Sequence, residues 1–505
     1  KKVFINMFDV IFSNLIDGFK LVLDVKYLTY ALFGSFLGTV VGVLPGIGSA
    51  GALAMMLPII LVLDPLGSVF MLAATYTGVM YGGSTASILL RVPGDTSAVI
   101  ACLDGHEMAK QGNAGAALCI AAIGSYIAGT IAVVGLMILG PFVADLALKF
   151  SAPEYLALYI FAITAVCSLV GNSMIKALLA MTFGLMISTI GEDIMGVRRF
   201  TMGSVQLWDG VQFLSVTLGL FAISEVIINS ESIISKEKRE VLKHRVFIKL
   251  KEITYSFWSI IRGGVIGFII GVLPGAGAGI ASFVSYSTER QISKNPENFG
   301  KGEIKGVAGP ESANNAASAG AFVPMLALGV PGSATTAVML GAFLMLDIQA
   351  GPMLFIERPD VVWGLVAALY IGNIFLLILN LPLISLFVRI LYIPMYLLLP
   401  IITIICMLGI YSSDQLTLSL YLMCLFGIIG YYMRASEYPL APVILGVVLG
   451  SRMEESFRQT MIMNQGNFFQ ILDRPIVLIF FGLAIVSIMV PLYFNKIKLD
   501  ASDVD

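Results

Sequence analysis

Apolar residues run through this chain in long unbroken blocks, not in the alternating pattern of half-buried strands. No Asp, Glu, Lys or Arg occurs from Tyr27 to Leu63, or from Ser312 to Leu346. A straight helix over either block would reach about 50 Å, against a hydrocarbon core of about 30 Å. Both blocks must therefore break. Uncharged runs place first-half helices near 27–44, 46–63, 66–90, 114–139, 153–171, 174–190 and 211–229. Second-half helices fall near 256–273, 276–288, 313–330, 333–346, 361–391, 393–411, 415–433, 438–450 and 475–494. The ten-residue alternating segments of a membrane barrel are absent. The expected fold is an all-α polytopic membrane protein.

The first 26 residues follow a different pattern. Phe4, Phe8, Ile11, Phe12, Leu15, Phe19 and Val22 recur at helical spacing, with Asn6, Asp9, Ser13, Asp17 and Lys20 opposite. This is an amphipathic helix, not a signal peptide, expected to lie in the membrane interface; a helix packed on a soluble neighbour would show the same periodicity.

Composition agrees with the pattern. Of 505 residues 58% are hydrophobic and 12% charged, against about 45–50% and 25% in soluble proteins. That excludes a soluble enzyme, a nucleic-acid binder and a disordered chain. Thirty basic and 32 acidic residues leave a net charge of -2, which names no partner. The five cysteines are scattered without a C-x-x-C pair and read as packing residues. His106 lies in the polar stretch DGHEMAKQG and reads as a loop residue. Glu231–Glu252 carries seven Lys and Arg residues, which places it in the cytoplasm. An anionic-lipid site is the alternative there.

The halves resemble each other. GVLPG occurs at 42–46 and 271–275, and VPG at 92–94 and 330–332. LLAMTFGLMISTIGED (178–193) parallels LAPVILGVVLGSRMEE (440–455). Landmarks in one order imply an internal duplication, expected to be inverted as in secondary transporters. The expected organisation is an interfacial helix (1–26), a first repeat (27–230), a basic cytoplasmic loop (231–255) and a second repeat (256–505).

The breaks are the candidate chemistry. Proline removes a backbone donor, glycine permits a sharp turn, and unpaired backbone survives in lipid only where it is buried or lines a wet cavity. Pro45, Gly46, Pro274 and Gly275 read as tips of re-entrant hairpins or broken helices. Pro331 and Gly332 interrupt the second block, so a helix should restart at Ser333 with Thr335 and Thr336 in its first turn. Pro93 and Gly94 are followed by Asp95 and Thr96. Two facing helix starts, each with exposed N–H groups and a positive dipole end, would receive a carboxylate. Ser84, Asn314 and Asn315 add polar side chains, and Arg91 is a candidate anion partner or a snorkelling span-end residue. Gly82, Gly83, Ser87, Glu311, Ser312 and Thr336 form the candidate cation set, with Na⁺ as the candidate ion. Small polar residues that merely glue helices, and acids that merely cap them, are the plain alternatives. No G-x-x-x-x-G-K-[ST], H-E-x-x-H or G-x-S-x-G occurs, so a carrier would draw on an ion gradient or on another subunit.

Four segments resemble the large membrane subunit of the tripartite tricarboxylate transporters, the TctA family. They are GVLPGIGSAGALAMMLP (42–58), YTGVMYGGSTASILLRVPGDTSAVIACLDGHEMAKQGNAGAAL (76–118), GVLPGAGAGIASFVSYSTER (271–290) and GVAGPESANNAASAGAFVPMLALGVPGSATTAVMLGAF (306–343). The resemblance implies a bacterial inner-membrane transporter, without an enzymatic activity or an organic cofactor. Its implied partners are a small membrane subunit of about four helices and a periplasmic binding protein. Its implied substrates are carboxylates such as citrate, imported with Na⁺ or protons. It carries over to Pro45, Gly46, Gly82, Gly83, Ser84, Pro93, Gly94, Asn314, Asn315, Pro331, Gly332 and Ser333. Two departures are Arg91, where many members are uncharged, and His106-Glu107, where they have Tyr-Pro. Arg91 points to a different or more highly charged substrate. A carboxylate channel and a membrane-embedded enzyme are the rival classes.

Overall fold

The computed structural model describes residues 2–44, 46–170, 173–193, 195–232, 248–383 and 395–502. Pro45, the side chain of Thr96 and most of the basic segment (233–247) lie outside the described residues. In the first half, α1 (Lys2–Val22), α2 (Val25–Val43), α3 (Gly48–Ile60) and α4 (Pro65–Leu90) are followed by α5 (Ala101–Lys110) and α6 (Ala114–Ala147). Next come α7 (Ala152–Leu169), α8 (Met174–Ser188) and α9 (Phe213–Ser230), whose middle, Leu218–Ile223, is a π-helix. The second half holds α10 (Leu250–Val272), α11 (Gly277–Ile292), α12 (Lys305–Gly320), α13 (Phe322–Leu328) and α14 (Ala334–Met345). It ends with α15 (Pro359–Asn380), α16 (Met395–Asp414), α17 (Thr417–Ala435), α18 (Ala441–Met463) and α19 (Pro475–Ser502).

Among the described residues seven helices (α6, α7, α9, α10, α15, α16 and α17) are long and apolar enough to cross a membrane. This is a multi-pass membrane protein. Large apolar side chains such as Trp258, Ile404 and Leu408 lie exposed on its outer helices, where lipid would cover them. By contrast, α4 is buried from Gly67 to Leu89 and forms an internal post.

Several expected boundaries move. The 114–139 helix continues to Ala147 across Pro141. The helix expected at 313–330 begins at Lys305 and bends at Ala321. His106 is on a helix, half-buried, with Nδ1 3.1 Å from the Ile88 carbonyl oxygen. Two-residue strands β1 (Gly191–Glu192) and β2 (Arg198–Arg199) pair antiparallel. α1 turns 85° from α2 and packs Gly18 against the Trp363–Gly364 backbone of α15, while Val10, Phe12 and Ile16 stay exposed.

Both halves use the same packing device. Gly34, Gly38 and Gly42 let α2 lie directly on Met71, Thr75 and Val79 of α4. Gly263, Gly267 and Gly271 do the same for α10 on Gly309, Ala313 and Ala317 of α12. Small residues every fourth position allow such backbone contact. α2 and α4 run in one direction: Lys26 pairs with Asp64 at their starts (2.7 Å), and Gly42 meets Gly82 at their ends. α3 returns in the opposite direction, its first N–H on the Gly94 carbonyl (3.1 Å) and its Ile60 carbonyl accepting from Ser68 Oγ (2.9 Å). α11 likewise runs back along α12, with Ser282 Oγ donating to the Pro310 carbonyl (3.2 Å). α4 and α12–α13 run in opposite directions, since Ser84 meets Glu311 while the Tyr76 ring lies tilted against Phe322. Elsewhere α18 lies along α8 in the same direction, Gly446 on Gly184 and Gly450 on Ser188. α17 lies along α9 in the same way, with Gly219 against Phe426 and Gly427.

Candidate functional site

The first break turns as its residues require. Gly46 and Gly48 take φ of 93° and 68°, where a side chain would be strained. α3 then starts at Gly48 with its first N–H groups free of intrahelical partners. The Gly94 carbonyl meets the first of these and Asp95 the second. Its Oδ2 accepts from the Ser49 N–H and the Ser49 hydroxyl, both at 2.7 Å. Its Oδ1 accepts from the Ser97 N–H and hydroxyl, both at 3.1 Å.

This corrects the expected arrangement. The first VPG does not open a half-helix; it leads into the three-residue 3₁₀ turn Thr96–Ala98 and then α5. The helix start that this half contributes belongs to α3, and the anion on it is Asp95. Extended backbone at Asp95 (φ -141°, ψ 159°) aims its carboxylate back at the nearest orphan N–H groups.

The second half contributes the start expected of it. Gly329 (φ 68°) ends α13, Pro331 and Gly332 are buried, and Ser333 caps α14. Ser333 Oγ accepts from the Thr336 N–H (3.2 Å), and Thr336 Oγ1 accepts from the Ser333 N–H (2.8 Å). Ser49 Oγ lies 2.7 Å from Thr335 Oγ1, so the starts of α3 and α14 touch. The Tyr76 hydroxyl is 3.3 Å from Ser333 Oγ.

Tyr76 belongs to one face of α4 that continues through Met80, Gly83, Ser84 and Ser87 at helical spacing. Gly83 lies beside Asp95. One turn on, the Ser84 hydroxyl donates to the buried Glu311 carboxylate across the antiparallel contact with α12. Asn314 and Asn315 are buried on the same face of α12 as Glu311. Asn315 Nδ2 donates to Ser125 Oγ on α6 (2.6 Å).

The expected cation set is not one cluster. Thr336 belongs to the α14 cap, and Ser84 stands with Glu311 instead. Gly82 is pressed on α2, and Ser312 Oγ donates to its own helix at Ala308 (2.6 Å) beside Gly124 and Gly263. Ser87 Oγ likewise donates to Gly83 (3.0 Å). Small residues in tight helix contacts produced that signal. Of the expected substrate residues, Arg91 is the exposed left-handed cap of α4 (φ 58°). Pro93 is half-buried and Gly94 buried. Gly46 is exposed and abuts Glu225 of α9. Pro274 and Gly275 are buried, Gly275 against Val166 of α7, with its N–H on the Gly332 carbonyl (2.9 Å).

Sequence reasoning missed Ser49, Tyr76, Ser125 and two anchoring pairs. Glu225 is bridged to Arg434 of α17 and accepts from Asn229 Nδ2 (2.7 Å). Each is a lone charge in or beside an apolar helix, which was the available signal. Asp104 of α5 accepts the N–H groups of Gly300, Gly302 and Glu303 (all 2.8 Å) and the Tyr286 hydroxyl (2.9 Å). Its stretch reads as an ordinary polar loop.

The family model of the tripartite tricarboxylate transporter TctA family matches residues 28–445, a span that includes both helix starts and both polar clusters. The chain belongs to this family. Membership makes it a component of a transporter with more than one subunit. It is similar to the "Uncharacterized 52.8 kDa protein in TAR-I ttuC' 3'region" of Agrobacterium vitis, at 42% identity over 488 residues, 95% of this chain and 96% of the relative. The "Uncharacterized protein in TAR-II ttuC' 3'region" of the same organism is 43% identical over 226 residues, 45% of this chain and 93% of the relative. No solved structure matches.

Proposed function

We propose that this chain is the carrier subunit of a secondary active importer of organic carboxylates in the bacterial inner membrane. It moves tricarboxylates or dicarboxylates without transforming them. An ion gradient, Na⁺ or H⁺, drives it. A small membrane subunit and a periplasmic binding protein complete the system, as the family's tripartite character suggests. The observation that carries this is the contact between helix starts from the two halves, Ser49 to Thr335 at 2.7 Å. Helix starts favour negative charge. Asp95 holds the α3 start, so the substrate carboxylate binds at the α14 start, among Ser333, Thr335 and Tyr76.

Two inverted repeats, 27–230 and 256–505, follow an interfacial helix and are joined by a cytoplasmic basic segment. The matched glycine rows of α2 and α10, and the antiparallel course of α4 and α12, support this. Segments 178–193 and 440–455 are not equivalents in such a repeat. Those segments pack side by side in one direction, whereas an inverted repeat opposes its equivalent helices. Phe183-Gly184 pairs better with Phe426-Gly427: Gly184 receives Gly446 as Gly427 receives Gly219.

Uptake of labelled tricarboxylates and dicarboxylates, with the partner subunits supplied, tests the proposal. The expected result is saturable uptake that follows a Na⁺ or pH gradient and is abolished by Ser333→Phe with membrane insertion unchanged. Wild-type uptake by that variant refutes the site. Uptake indifferent to both gradients refutes the carrier.

A further inference from the structure

Asn314 is fully buried, yet its amide oxygen has no hydrogen-bond partner. Asn315 Oδ1 is buried and without a partner as well. Both side chains share a helix face with Glu311, at spacings of three and four residues. The Asn314 amide nitrogen serves as a donor towards the Glu311 carboxylate, which leaves the amide oxygen unmet. Glu311 is itself 1% exposed and forms no ion pair among the described residues; Ser84 is its hydroxyl donor. Ser84 and Ser125 also line a cavity with Tyr81, Thr85 and Asn380 that has room for about one water.

Native interiors rarely leave buried amide oxygens unmet, and a carboxylate in a membrane protein's interior calls for a compensating charge. A substrate carboxylate does not belong beside Glu311, because like charges repel. A proton on Glu311 would neutralise the charge, but its single O–H could meet only one of the two amide oxygens. A metal cation answers both needs at once, since hard monovalent and divalent ions take carboxylate, amide and hydroxyl oxygens together.

We propose that Glu311, Asn314, Asn315 and Ser84 form a binding site for a dehydrated monovalent metal cation of the Na⁺ kind, separate from the anion site at Ser333. A divalent ion would want more than this single carboxylate. The assignment moves the two asparagines and Ser84 from the anion to the cation, and it rests on the carrier reading by naming its coupling ion. The bound ion ties α12 to α4, whose face continues to Tyr76 at the anion site.

The test is thermal unfolding of the purified full chain in detergent, at fixed pH and ionic strength, in NaCl against choline chloride. The expected result is a saturable rise in Tm with Na⁺ in the wild type, lost in Glu311→Gln and in Asn314→Ala. Ser84→Ala, a smaller change, should raise the half-saturating Na⁺ concentration several-fold while keeping the response. A wild-type Tm indifferent to Na⁺, or a response surviving intact in Glu311→Gln and Asn314→Ala, overturns the site. In reconstituted uptake, wild-type transport driven by a pH gradient with no response to Na⁺ also overturns the metal site but leaves the carrier standing. Absence of any gradient-driven uptake refutes the carrier, whatever Tm does.

Discussion

Asp104 lets the physical account be tested without knowing the substrate. It joins α5 to the loop before α12 and thereby ties the two halves together. Oδ1 accepts three backbone N–H groups at 2.8 Å, and Oδ2 accepts the Tyr286 hydroxyl at 2.9 Å. The residue is 0% exposed. Hydrogen bonds to a charged group contribute about 1.5–3 kcal/mol each, and neutral ones about 0.5–1.5. Asp104→Asn can keep three N–H bonds on its amide oxygen and turn the Tyr286 hydroxyl to accept from its nitrogen. It loses the charge assistance of four bonds, up to about 1 kcal/mol each, or roughly 3–4 in all. Asp104→Ala removes every acceptor and strands three N–H groups, each costing about 1–3 kcal/mol. Water entering the space left by the side chain limits the total to about 4–5 kcal/mol. Tyr286→Phe loses one bond, about 1.5 kcal/mol. Thermal unfolding in detergent should therefore rank Ala below Asn, Asn below Tyr286→Phe, and all three below the wild type. An Ala variant as stable as Tyr286→Phe would refute the reasoning, because it would mean that the loop N–H groups do not depend on this carboxylate.

Three further outcomes follow from the geometry. Gly267→Leu should abolish folded protein, since even a Cβ there would sit 2.7 Å from Ala313 Cα, whereas Gly482→Leu, with nothing within 4 Å, should be silent; monodisperse yield by size-exclusion chromatography compares them. Breaking the Glu225–Arg434 bridge by Glu225→Gln or Arg434→Met should each cost about 2–4 kcal/mol. The double variant should cost less than the sum, and a double-mutant cycle of unfolding stabilities measures the difference. The Asp193 carboxyl is held below its ordinary value, chiefly by the Val197 N–H, with the Met195 N–H and Arg458 adding to it. A depressed value contributes stability that is present above about pH 4 and lost as pH falls through the folded value. Hydrogen-exchange protection factors in the β1–β2 hairpin, corrected for the intrinsic rate at each pH, should therefore fall below that pH and stay level from pH 6 to 8.

How much was legible beforehand differs by element. The uncharged blocks at 27–63 and 312–346 disclosed both their membrane character and their breaks, because length against bilayer thickness is a one-dimensional constraint. The restart at Ser333 was readable for the same local reason: Pro-Gly followed by Ser and two Thr is a stop and a cap. Asp95 was not readable. Its neighbours in sequence suggested that it begins a helix, while its partners, Ser49 and the α3 start, lie 46 residues away.

Local pattern by itself determined that this chain is helical, embedded in lipid and broken at four Gly-Pro turns, since hydropathy and backbone chemistry act residue by residue. Which helix start meets which, that an internal carboxylate caps the first of them, and that Ser84 rather than Thr336 meets Glu311 were decided only by tertiary packing. The physical reason is that charge and hydrogen-bond satisfaction inside a membrane protein are met between segments far apart in the chain. Here the glycine rows of α2 and α10 bring the backbones close enough to set those partners.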